Sequence, residues 1–165
     1  MRTFAVTMAS AALLLGACGG EKKAEEAPAA TPAAETPAAA PAAAPAAGAA
    51  APITGKTVEV KMIGDDKGYR FEPADVTIAA GDGIKFIMVS GGPHNVAFDP
   101  AKVPADVKAQ LDANIPEKLG ELSSAMKMNP NESITVSFGN IKAGTYEYFC
   151  TPHLAMGMKG KITVQ

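Results

Sequence analysis

The stretch Gly144-Thr-Tyr-Glu-Tyr-Phe-Cys150-Thr-Pro-His153-Leu-Ala-Met156-Gly-Met158-Lys-Gly-Lys-Ile-Thr-Val164 decides how the rest of the chain is read. Both ends carry β-branched and aromatic residues, so 144–150 and 159–164 are expected to be strands. The segment from Cys150 to Met158 holds a thiol, an imidazole and two thioethers. It reads as a loop joining neighbouring strands at one end of a sheet, with unusual chemistry concentrated in it.

Working outward, the same strand pattern recurs back to Thr57. Val58, Val60 and Met62 alternate with Glu59 and Lys61, the signature of a half-buried strand. Residues 71–73 and 76–79 follow, and Gly81-Asp82-Gly83 marks a turn. Residues 84–89 are apolar except for Lys85, which predicts a strand covered on both faces. Strands are also predicted over 95–98 and 133–138. Residues 103–111 and 116–122 have helical composition with proline near their starts, so 101–128 reads as an irregular connection with one or two short helices. No internal repeat or βαβ unit is visible. The expected fold is an all-β Greek-key sandwich.

The amino end reads differently. Arg2 precedes a run of about a dozen apolar residues, too short for a membrane span of roughly 20 but suited to an export signal. The run ends in Leu15-Gly16-Ala17-Cys18, which resembles the bacterial lipobox. That resemblance implies a signal peptide over 1–17 and lipidation of Cys18, leaving the protein anchored at the periplasmic side of a bacterial membrane. Residues 21–52 contain 17 Ala and 6 Pro and no larger apolar side chain, so they cannot bury enough area to order themselves. Residues 18–52 are read as a lipidated cysteine and a disordered tether whose extended reach is on the order of 100 Å. Residues 53–165 are the expected folded domain.

Composition narrows the chemistry. The chain has 165 residues, a formal charge of −2, two cysteines and two histidines. Residues 53–165 hold 12 Lys and Arg against 13 Asp and Glu, so no basic surface for nucleic acid is available. Both histidines fall into one pattern. His94 follows Gly91-Gly92-Pro93 at the mouth of a predicted strand, and His153 lies three residues after Cys150. Cys, two His and a Met form the ligand set of a blue-copper electron-transfer site, in which a trigonal His₂Cys group carries a weak axial Met. The thiolate donates strongly to Cu(II), and thioether contact favours Cu(I). A geometry acceptable to both states suits a carrier.

Cys150-x₂-His153-x₄-Met158, closed by Gly-Lys-Ile-Thr-Val, resembles the copper loop of the cupredoxin family in its plastocyanin and pseudoazurin branches. Gly-Gly-Pro-His94-Asn-Val-Ala-Phe-Asp is similar to the segment with their first histidine. The likeness covers 57–165, more loosely over 101–128. It implies one copper held by His94, Cys150, His153 and Met158, with Asn95 steadying the ligand loop by hydrogen bonding. It also implies that Met156 packs without ligating. Electrons would leave through His153 within a patch of Tyr69, Gly91, Pro93, Leu154, Ala155 and Met156. The partners would be redox proteins, such as cytochromes or membrane oxidoreductase complexes, docked transiently on a monomer. Phe149 stands where plastocyanins have tyrosine, and Asp99, Lys102, Asp106 and Lys108 replace an acidic patch, so strong electrostatic steering is not expected.

Other functions are poorer fits. Periplasmic copper binding and delivery is compatible with the ligands, but a closed site favours retention. Met126 and Met128 could form a Cu(I) relay, although paired methionines more often pack. A copper enzyme needs further histidines, and a binuclear copper centre needs a second loop cysteine. A Cys–His nucleophile lacks an orienting partner. Zinc accepts Cys and His, but a thioether fourth ligand suits it less. With one thiol lipidated and the other on copper, a Cys18–Cys150 disulfide is not expected.

Overall fold

A computed structural model describes residues 48–165. The export signal, Cys18 and the tether up to residue 47 lie outside the described residues. The strands form two sheets. The first contains β1 (Thr57–Asp65), β2 (Gly68–Glu72), β4 (Gly83–Met88) and β8 (Ser133–Ser137), in the order β2-β1-β4-β8. The second contains β3 (Asp75–Ile78), β5 (Ala97–Phe98), β6 (Lys118–Gly120), β7 (Ser123–Ser124), β9 (Gly144–Phe149) and β10 (Lys159–Val164), in the order β3-β10-β9-β5-β7-β6. The chain crosses repeatedly between the two sheets, giving the expected Greek-key sandwich.

Alternation along the strands builds the core. Val60 and Met62 from β1, and Ile84, Phe86 and Met88 from β4, face Tyr146, Tyr148, Ile162 and Val164 from β9 and β10. β4 is covered less evenly than its apolar run suggests: Lys85 and Ile87 on its other face are only half-buried. The strand lies between β1 and β8 in a sheet with one core face, so its second face lacks another layer.

Strand direction separates two poles. β4 and β9 both run toward the donor end, where β4 leads to His94 and β9 to Cys150. At the opposite end, the starts of β4 and β9 lie with the end of β8, since Gly83 pairs with Ser137. Residues 49–52, read from sequence as part of the tether, dock at this remote end. Ala51 is buried, and its N–H donates to Asn114 Oδ1 at 2.8 Å. Gln110 Nε2 donates to the Ala49 carbonyl at 3.0 Å.

The long connection contains one α-helix, α1 (Ala105–Asn114), which buries Val107, Leu111 and Asn114 along one face. Pro116 follows its extended C-cap, Ile115. The second expected helix, over 116–122, is replaced by β6 and the turn into β7. Glu117 and Leu122 adopt left-handed φ values of 48° and 53°, which stop helical propagation. Burying Leu122 completely while leaving Leu119 exposed then favours an edge-strand path.

Candidate metal centre

His94 is delivered by the loop after β4, and Cys150 by the end of β9. His153 belongs to a 3₁₀ helix, Thr151–Met156, with a proline in its first turn. The helix closes at Gly157, whose φ of 84° places it in the left-handed region that favours glycine. His153 N–H donates to the Cys150 carbonyl at 3.1 Å, and Cys150 N–H to the Met158 carbonyl at 3.1 Å. The loop is therefore folded onto its own backbone.

These connections bring three donors together. Cys150 Sγ lies 3.6 Å from His94 Nδ1 and 3.4 Å from His153 Nδ1, while the two nitrogens are 3.2 Å apart. The centre of that triangle is about 2.0 Å from each vertex, a metal–nitrogen bond length. His94 and Cys150 are wholly buried, and His153 is 6% exposed.

Protonation favours a cation at this point. His94 Nε2–H donates to the Ser90 carbonyl at 2.8 Å, leaving Nδ1 with its lone pair toward the cluster. Burial pushes the His94 imidazole below its ordinary pKa, against the raising effect of Ser90. Burial and then His94 lower His153, so both rings are neutral at pH 7. Burial pushes the Cys150 thiol up, opposed by backbone N–H groups of Asn95 and His153 that favour thiolate. A soft sulfur, the bare His94 Nδ1 and the neighbouring His153 Nδ1, in a trigonal set, fit copper.

The surroundings fix these donors. Asn95 Oδ1 accepts Thr151 N–H at 2.8 Å, and Asn95 Nδ2 donates to Ser123 Oγ and Thr151 Oγ1, each at 3.1 Å. Asn95 thus joins the start of the ligand loop, at Thr151, to Ser123 of β7. Met158 is wholly buried, whereas Met156 is 60% exposed. Tyr69 stacks on His153 and is half-buried; Pro93 is also half-buried, while Gly91, Leu154 and Ala155 are exposed. Beside Phe149, Lys102 pairs with Glu147 at 2.8 Å, and toward the start of β9 Asp106 pairs with Lys142, so the mixed charges partly cancel.

Two contributors escaped the sequence reading. Ser90 acts through a carbonyl, which every residue possesses, so its side-chain identity gives no signal. Gly64 allows the close approach of the β1–β2 hairpin: a Cβ there would stand 2.7 Å from the Tyr69 ring and 2.9 Å from Gly91 Cα. Only the assembled fold shows that constraint.

Comparison with known proteins extends the argument beyond the donors. The family model for copper binding proteins, plastocyanin/azurin family, matches residues 58–165. Chloroplastic plastocyanin of Physcomitrium patens is 44% identical over 105 residues, covering 64% of this chain and 56% of that protein. Plastocyanin of Rumex obtusifolius is 38% identical over 108 residues, covering 66% of this chain and 100% of that protein. The chain thus spans little more than half of the first relative and the full length of the second. The oxidized plastocyanin structure from Dryopteris crassirhizoma has 32% identity and a TM-score of 0.53, with coverage of 66% and 100% respectively. The family match runs from the first strand to the last residue and includes the whole donor triangle; on those grounds the chain belongs to the plastocyanin/azurin family of copper-binding proteins.

Proposed function

We propose that this chain is a one-electron carrier tethered through lipidated Cys18 at the periplasmic surface of a bacterial membrane, shuttling electrons between redox proteins. It is not an enzyme, and its family supports the carrier function. The observation carrying the reading is the buried triangle of Cys150 Sγ, His94 Nδ1 and His153 Nδ1. Copper held there supplies a one-electron couple between Cu(I) and Cu(II). Ser90, Asn95 and the 3₁₀ turn restrain the donors, so little protein rearrangement need accompany a change of metal charge.

Met158 is the proposed fourth ligand, supported by its burial and its backbone bond to Cys150. The proposed docking patch comprises exposed Gly91, Leu154, Ala155 and Met156 beside half-buried Tyr69 and Pro93. Its apolar character suits brief contact with a donor or acceptor, without a strong charge requirement.

The test uses the full chain, with copper removed and Cu(II) added back. Visible and electron paramagnetic resonance spectra should show an intense blue centre at one copper per chain, bleached by ascorbate and restored by oxidant. Cys150→Ser should abolish the band. A colourless or weak complex would overturn the carrier reading in favour of copper handling. Expression in a bacterial host followed by detergent partitioning tests the anchor: the unsubstituted chain should enter the detergent phase and Cys18→Ser should not.

A further inference from the structure

Lys127 stands directly opposite His94. The residues exchange both backbone hydrogen bonds, His94 N–H to Lys127 O at 3.0 Å and Lys127 N–H to His94 O at 2.7 Å. In such an antiparallel pair the side chains leave on the same face, with Cβ atoms roughly 5 Å apart. His94 is wholly buried, and the Lys127 side chain is only 11% exposed. Lysine normally keeps its charged end in water. Here the ammonium ends on Glu117 Oε2 at 2.7 Å, and that glutamate is 60% exposed.

Glu117 is held in place with some strain. Its φ of 48° lies in the left-handed region that non-glycine residues disfavour, and its carbonyl accepts the Ala125 N–H. The backbone thus positions an acid at the end of a nearly buried lysine, and that lysine lies across from a metal-binding histidine. Glu132 also senses Lys127, but its carboxylate binds the N–H groups of Met128 and Asn129.

We infer that Lys127 is a positioning and tuning residue for the copper site, with its stem covering His94 and its held charge biasing the couple toward the reduced metal. The electronic part rests on the copper reading. A fixed positive charge opposes Cu(II) more than Cu(I), because repulsion grows with metal charge. Glu117 offsets part of that effect and is the more exposed and more screened member of the pair. Removing the two charges separately should therefore shift the potential in opposite directions.

The test is voltammetry of the full copper-loaded chain with Lys127→Met, Glu117→Gln and both together. The expected result is a lower potential for Lys127→Met, a higher one for Glu117→Gln and an intermediate value for the double variant. Unchanged potentials, or shifts of one sign in both single variants, would overturn the charge role. Hydrogen exchange on the metal-free full chain tests coverage independently: Lys127→Ala should speed exchange at the His94 amide by about tenfold relative to Lys127→Met. Equal rates would overturn the covering role. If the unsubstituted protein has no reversible couple, the carrier reading and the charge role fail together, while the exchange result still decides the covering role.

Discussion

The ring of Tyr69 lies almost parallel to that of His153, with centroids 3.8 Å apart and an interplanar angle of 14°. Tyr69 comes from β2, while His153 comes from the loop after β9. The stack therefore ties the first hairpin to the ligand loop. An aromatic contact of this kind contributes about 1 kcal/mol beyond area burial. Tyr69→Leu should keep the sandwich but loosen His153, weakening copper affinity by about fivefold. Competition against a chelator measures that loss. An unchanged affinity would show that the 3₁₀ turn alone orients the ring.

Gly64 makes room for the stack and for Gly91, whose φ is 71°. A methyl group at Gly64 must move either the Tyr69 ring or the Gly91 backbone. Gly64→Ala should thus destabilise the metal-free protein by about 1–3 kcal/mol, an overpacking cost, and also weaken copper binding. Urea unfolding and metal competition read the two effects separately. Loss of stability without loss of affinity would place the adjustment in Gly91 and leave the stack intact.

Acid stability has a defined sign at Glu132. Its carboxylate accepts from Asn129 Nδ2 above all, then from Asn129 N–H and Met128 N–H, and these bonds hold its pKa down to about 2. A lowered folded-state pKa contributes stability above the ordinary value near 4.5, and that contribution disappears as pH falls through about 2. Glu132→Gln should melt below the unsubstituted protein at pH 6, with the gap closing toward pH 2. Asp65 titrates in the same window beside Arg70, so the quantity to follow is the difference between the two proteins. A gap independent of pH would rule out the carboxylate charge as its source.

The fold and donor set were legible because they rest on side-chain chemistry at fixed spacing. Alternating Val58, Val60 and Met62 reveal a strand, and one cysteine with two histidines leaves few alternatives. Less legible were contacts made by backbone or by shape. Ser90 contributes a carbonyl, and Gly64 contributes space. The helix expected at 116–122 yielded to an edge strand because burying Leu122 and setting Glu117 beside Lys127 are tertiary demands, which local composition does not encode. Residues 49–52 look like tether in composition, yet Ala51 finds a partner 63 positions later in the chain.

That partner, Asn114, is 3% exposed and uses both ends of its side chain. Oδ1 accepts from Ala51 N–H and Gln110 Nε2, each at 2.8 Å, while Nδ2 donates to the Gly139 carbonyl at 2.9 Å. Asn114→Ala would leave the Ala51 donor and the Gly139 acceptor without partners, costing about 1–3 kcal/mol for each group that water cannot reach. The amide of Ala51 should then exchange at the rate of an open chain. Because this clasp lies at the pole remote from His94 and Cys150, the blue spectrum of the loaded variant should be unchanged. Altered colour would mean that strain passes between the poles, most directly along β9, which links the remote end to Cys150. Unaltered colour with a freed Ala51 would make the clasp a device of the chain's entry point alone, separable from the metal site it supports.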